Sequence, residues 1–279
     1  MAKRALLIGI NRYQIAGADL RGCVNDVEDL SQVLVAFQGF KPSDITKLTD
    51  GAATKKAMQS GIKTLLRGLK KGDVALLHYS GHGSNVPDDN RDEADGRDEI
   101  LCPTDLDWDD PLRDDWLRET IDSVAAGASL TVIMDCCHSG TNTRAILPPD
   151  APVKERYLPS PWGLAEVESG RSLPKRVTTE LRRSARAKRK SSNVVDANLP
   201  EILITGCRDT QTSADAFING RYNGALTFAL VEAIRATQGR LTYRDLHDRA
   251  AGVLKKRQFD QIPQLEGRKT RFDTPWLSA

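Results

Sequence analysis

The chain has 279 residues, 39% hydrophobic and 28% charged, and its 40 basic and 38 acidic residues leave a net charge of +2. That apolar share supports a packed core in one large domain or two small ones, and the near-balance of charge implies no polyelectrolyte partner for the chain as a whole. Five cysteines without a CxxC pair argue against a disulfide framework or a structural zinc site and suit a reducing, cytoplasmic setting. The apolar start breaks at Asn11-Arg12, too short for a secretory core, and no stretch approaches a membrane span.

Arg4 to Ile10 reads as a short buried strand. From Asn25 to Phe37, Val27, Leu30, Val33, Leu34 and Phe37 recur on one helical face, and Gly39 supplies a stop. Ile45 to Thr49 is a weaker second strand. Thr54 is placed to cap a helix carrying Met58, Ile62, Leu65, Leu66 and Leu69 that ends near Gly72. Asp73 to Tyr79 predicts a third strand, breaking into Ser80-Gly81-His82-Gly83-Ser84. A long acidic loop and a helix around Leu112 to Val124 lead to a fourth strand, Leu130 to Asp135, which runs straight into Cys136-Cys137-His138-Ser139-Gly140. The pattern then lapses until about Leu199, and Arg171 to Lys190 is strongly basic, as in an exposed linker. Beyond it come a strand at Glu201 to Thr205, helices at about Gly224 to Thr237 and Tyr243 to Lys256, and a short strand near Gln261 to Leu265. Strands alternating with helices predict an α/β fold, its mostly parallel central sheet of about six strands covered by helices on both faces.

In such sheets reactive groups gather beyond the carboxyl ends of the strands. Cys137 and His82 follow two of these ends. A cysteine nucleophile needs a base to take its proton and return it to the leaving group. His138 is adjacent to Cys137, so the two side chains diverge; His78 lies inside a strand, and His247 sits on a late helix without small neighbours. His82, flanked by glycines, is the best base. The backbone N–H groups of Gly83 and Cys137 are the candidate donors to an oxyanion.

The pair HYSGHGS and MDCCHSG resembles the caspase-fold cysteine peptidases, most closely metacaspases of the prokaryotic type without a prodomain, and the resemblance extends to the QTSADA and GALTFAL segments. It implies a caspase-like sandwich forming one domain, with a large-subunit-like part over 1–140, a proline-containing basic linker over 141–198 and a small-subunit-like part over 199–279. It makes Cys137 the nucleophile and His82 the general base, with Cys136 structural. Asp135, Asp26, Cys23 and Ser80 match the positions lining the pocket for the residue before the scissile bond, where two carboxylates form a cup complementary to Arg or Lys. Thirteen carboxylates crowd Asp88 to Asp115, with a spacing that fails the EF-hand template. Here the resemblance places Asp98, Asp114 and Asp115 in a calcium site, with Ca2+ as an activator rather than a participant in the chemistry, although Arg144 stands where a further aspartate belongs. It also implies protein or peptide substrates, self-cleavage within Arg171 to Lys190 with the parts staying associated, a monomer, and no membrane or nucleic-acid partner. Two rival readings are a catalytically silent caspase-like scaffold and a nucleic-acid binder acting through RRSARAKRK; the presence of both Cys137 and His82 favours the peptidase.

Overall fold

Strand β1 (Lys3–Gly9) sets the architecture, because its apolar residues divide between two layers. Leu6 and Ile8 pack with Met58, Ile62, Leu117 and Ile121, whereas Ala5 and Leu7 pack with Leu30, Leu34, Leu226 and Leu230. A strand buried on both faces is a continuous apolar run rather than an alternating one. The computed structural model describes residues 1–88, 96–124, 127–137, 153–168, 194–196, 199–208 and 211–278.

Its central sheet has seven strands in the order β2 (Ile45–Thr49), β1, β3 (Val74–Ser80), β7 (Ser129–Asp135), β10 (Glu201–Thr205), β13 (Gln264–Gly267), β9 (Val194–Asp196). Every pairing is parallel except that of β10 with β13. The expectation of about six strands is one short. The additional strand, β9, has three residues at the end of the interval that carries no periodic pattern, below the length at which periodicity is legible.

Helices α2 (Lys55–Leu66) and α3 (Asp114–Asp122) cover one face, and α1 (Cys23–Phe37), α5 (Ala225–Thr237) and α6 (Tyr243–Lys256) cover the other. The Thr54 hydroxyl caps α2, accepting from the Ala57 N–H at 3.2 Å. The helix stops at Leu66, short of the expected Gly72, and Gly68 follows with a positive φ of 65°. Two short helices, α4 (Pro161–Glu168) and α7 (Lys269–Phe272), complete the set among the described residues. Among the described residues no helix is long and apolar enough to cross a membrane.

Two small antiparallel sheets flank the carboxyl edge of the main one. The first joins β4 (Gly83–Pro87), β5 (Arg97–Leu101) and β6 (Leu112–Arg113), so the acid-rich region is not the continuous loop its composition suggests. The second joins β12 (Arg221–Gly224), β11 (Ala214–Ile218) and β8 (Val153–Glu155). With α4, β8 breaks up what reads in sequence as an unstructured linker.

Gly9, at the end of β1, lets α1 rest directly on the sheet. A Cβ there would lie 2.5 Å from the Cys23 carbonyl oxygen and 2.6 Å from Val27 Cγ2. That close approach brings Asp26, in the first turn of α1, over the carboxyl edge of the strands.

Candidate active site

Register places the two key side chains. Ser80 and Asp135 are partners in the parallel β3–β7 ladder. His82 and Cys137 each lie two residues beyond that pair, so the sheet delivers both to the same edge.

His82 presents one ring nitrogen without a partner. Its Nε2 lies 2.7 Å from the Ala18 carbonyl oxygen. A carbonyl only accepts, so Nε2 carries the proton and Nδ1 presents a lone pair. Nδ1 is buried and has no hydrogen-bond partner. Burial lowers the imidazole to about 4, the Ala18 carbonyl pulling the other way, and the ring is therefore neutral at pH 7. Two tyrosines fix its backbone: the His82 N–H donates to Tyr13 Oη at 2.9 Å, and its carbonyl accepts from Tyr79 Oη at 2.6 Å.

Cys137 is held as a thiol. Its Sγ accepts from the Ser213 N–H and lies 3.8 Å from the Sγ of Cys207. Burial raises the thiol well above its ordinary range and Cys207 adds to that, while the Ser213 N–H opposes it. Among the described residues no hydrogen bond joins Cys137 Sγ to His82. The N–H groups of Gly83 and Cys137 both point at one atom, the carbonyl oxygen of Arg156, at 3.1 and 3.2 Å.

Arg156 also fills the predicted cup. Its guanidinium is fully buried, with Nη2 2.8 Å from Asp26 Oδ2 and 3.0 Å from Asp215 Oδ1. Nη1 lies 2.7 Å from Ser80 Oγ and 3.4 Å from Asp135 Oδ2. Cys23 is buried in the same cluster, close enough for the guanidinium to favour its thiolate against the larger cost of burial. Burial would push the Arg156 guanidinium down, but Cys23, Asp135, Asp26 and Asp215 more than offset it, and the group stays charged. Burial also pushes Asp26 up, against the pull of Arg156. All the partners of Asp26 are donors, namely Arg156, Ser80 Oγ, Asn223 Nδ2 and the Gly224 N–H, so the geometry holds the anion.

Asp26, Asp135, Ser80 and Cys23 are thus brought together around one guanidinium, but they form half of its surroundings. Asp215 and Ser213 come from β11 and its approach, and Gly224 and Thr227 from the start of α5. Ser213 Oγ and Thr227 Oγ1 hold Asp135 at 2.6 and 2.8 Å. Gly224 is needed for space, since its φ of −69° suits any residue. A Cβ there would lie 2.3 Å from Asp135 Oδ2 and 2.4 Å from Arg156 Nη1. The sequence signal for these residues is their place in QTSADA and GALTFAL. Arg156 itself carries none.

His78 and His247 serve packing: His78 Nε2 meets Thr227 Oγ1 at 3.1 Å, and His247 Nε2 meets the Pro263 carbonyl at 3.1 Å. His138 lies outside the described residues, as do Arg144 and the stretch Arg171 to Lys190. Of the expected calcium ligands, Asp98 is buried on β5 and ion-paired with Arg113, and Asp114 and Asp115 open α3. Among the described residues no group of three or more His, Cys, Asp or Glu side chains gathers as a metal site.

A sequence model described as "Metacaspase, peptidase C14 domain" matches residues 3–145. Metacaspase-1 of Yarrowia lipolytica is 34% identical over 94% of this chain, which spans 61% of that protein's length. Metacaspase-1 of Pyricularia oryzae is 32% identical over 94% of the chain, which covers 71% of it. Among solved structures, a Geobacter sulfurreducens protein matches over 100% of this chain and 99% of its own at a TM-score of 0.66 and 27% identity. Caspase-1 of Spodoptera frugiperda matches over 96% and 90% at a TM-score of 0.56 and 13% identity, a likeness of fold alone, and the fold is the caspase-like one expected. With the Cys137 and His82 strand ends in register and the acidic cup beside them, the chain belongs to the metacaspase family of C14 peptidases.

Proposed function

We propose that the chain is a cysteine endopeptidase cutting after Arg or Lys. The observation that carries this reading is a guanidinium held by three buried aspartates while its own carbonyl oxygen accepts from two convergent N–H groups. An Asp-selective pocket would need cations there. In the proposed chemistry the Cys137 proton passes to Nδ1 of His82, and the thiolate attacks the substrate carbonyl carbon. The N–H groups of Gly83 and Cys137 hold the oxyanion. His82 then protonates the departing amine, and water hydrolyses the thioester, restoring the thiol. Calcium has no step in this sequence. Its role as an activator is read by comparing turnover in chelator with turnover in millimolar calcium.

Fluorogenic peptides ending in Arg, Lys or Asp test the reading. Arg and Lys reporters are cut, Asp is not, and Cys137→Ala abolishes turnover. Absence of turnover on all three, with Cys137 unmodified by an arginyl alkylating inhibitor, would instead favour the silent scaffold.

A further inference from the structure

Of the five cysteines, four are buried and Cys207 is partly exposed. It is also the one whose sulfur touches that of Cys137. Thr205, the last residue of β10, pairs with Met134 of β7, and the Gly206 N–H donates to the Met134 carbonyl at 3.0 Å, carrying the parallel ladder one step further. Cys207 and Cys137 leave the sheet from these neighbouring ends. Adjacent strands lie about 4.8 Å apart, within the roughly 4.4–6.8 Å between Cα atoms that a disulfide bridges. The two sulfurs are already 3.8 Å apart. A bond of about 2.05 Å therefore closes with a modest turn of the side chains.

Both sulfurs are held at this contact. Cys207 Sγ lies 3.2 Å from the Gln211 carbonyl oxygen, and the Gln211 N–H donates to the Arg208 carbonyl at 2.8 Å, closing a tight turn. The Gln211 side chain ties that turn to the approach to β13, accepting from the Ile262 N–H at 3.1 Å and donating to the Asp260 carbonyl. On the other side, Cys137 Sγ accepts from the Ser213 N–H, and among the described residues no hydrogen bond joins it to His82. The sulfur thus rests against a second thiol and not against its base. No step of peptide hydrolysis uses Cys207.

We propose that Cys207 is an oxidation site that captures Cys137 in a reversible disulfide, with a hydroperoxide as the oxidant, and so switches the nucleophile off. The bond stands on the sulfur contact alone; its effect on turnover rests on the Arg/Lys peptidase reading. The hydroperoxide transfers its terminal oxygen to the exposed sulfur of Cys207: the oxygen–oxygen bond breaks, an alcohol or water leaves, and a sulfenic acid forms. Cys137 Sγ then attacks that sulfur. The sulfur–sulfur bond forms, the sulfur–oxygen bond breaks, and the hydroxide departs as water with the proton of Cys137. Two thiols have given up two electrons and the hydroperoxide has taken them. A dithiol reductant reverses the step by exchange and returns both thiols.

The test treats the reduced full chain with hydrogen peroxide, follows turnover of an arginyl reporter before and after dithiothreitol, and assigns cysteine peptides by fragment mass. Wild type should lose roughly nine-tenths of its turnover, regain it in dithiothreitol, and yield a Cys137–Cys207 cross-linked peptide two hydrogens lighter than its reduced parts. Cys207→Ser is compared with its own untreated turnover and shown to be folded by a thermal melt. It should form no cross-link and need about tenfold more peroxide for the same loss. Silenced wild type without the cross-link, a cross-link to Cys136 instead, or a Cys207→Ser variant as sensitive as wild type overturns the proposal. No turnover by the reduced wild type means instead that the peptidase reading has failed, and the peptide map alone then supports or overturns the bond.

Discussion

Replacing Asp26 by Asn removes one negative charge from the cup while keeping the side chain's size. Asp26 Oδ2 lies 2.8 Å from the bound guanidinium, and both groups are wholly buried. Truncating one partner of such a pair costs about 2–5 kcal/mol. Asp135 and Asp215 remain, at 3.4 and 3.0 Å. The low end therefore applies: about 2–3 kcal/mol, or roughly 30- to 150-fold in kcat/KM for an arginyl peptide. The assay pairs that peptide with its citrulline analogue, which has the same shape and no charge. Asp26→Asn should depress hydrolysis of the arginyl peptide by that factor, leave the citrulline peptide within about threefold, and so narrow the preference for charge. A thermal melt confirms that the variant is folded. Equal losses on both peptides would refute the reasoning, because Asp26 would then be supporting the fold and not selecting a cation.

Gly224→Ala places a methyl group against Asp135 and Arg156, and should lower arginyl turnover by about 100-fold with the melting temperature little changed; unaltered turnover would mean the wall is elsewhere. His78 is lowered to about 4 by burial, with Asp135 opposing, so the unfolded chain takes up this proton at higher pH than the folded one. Stability from this residue is therefore complete above about pH 6.5 and falls as the pH drops toward 4, by about 2 kcal/mol at pH 5. Urea midpoints should show the deficit of His78→Gln relative to wild type shrinking from pH 7 to pH 5, and a deficit identical at both rules the account out. Arg118 bridges α3 to β10 through two hydrogen bonds to Glu201, at 2.6 and 3.1 Å. Arg118→Ala strands that buried carboxylate and should destabilise the chain by about 1–3 kcal/mol in urea unfolding, and a loss under about 0.5 kcal/mol would show the bridge to be solvated.

The parts of the molecule legible in the sequence are those where one physical signal dominates. ALLIGI, VALLHY and LTVIM are apolar without alternation because β1, β3 and β7 are covered on both sides, and Thr54 stands where a helix must begin. Asp26 and Asp135 come from the motif resemblance, and the β3–β7 register explains why Asp135 lies beside Ser80. Strands of three residues such as β8 and β9 carry too few positions for a period to form, so the interval after Gly140 looks featureless. Arg156 was invisible for a different reason. Its meaning lies wholly in tertiary contacts with Asp26, Asp135 and Asp215, which are 130, 21 and 59 positions away. Local composition around KERY contains nothing that distinguishes it from any solvated arginine.

The seam between β7 and β10 runs from Leu130 beside Glu201 to Met134 beside Thr205, uniting stretches that lie on either side of Arg156 in the chain. A protease added to cut the chain once at 156–157 would therefore sever covalent continuity without unzipping that ladder. The two polypeptides should travel as one particle through gel filtration and come apart only in denaturant. Neither piece would carry a whole cup: Asp26 and Asp135 stay with the first, Asp215 and Gly224 with the second. Activity in the nicked enzyme would thus belong to the pair and be lost on dilution through urea, returning only if both fragments refold together.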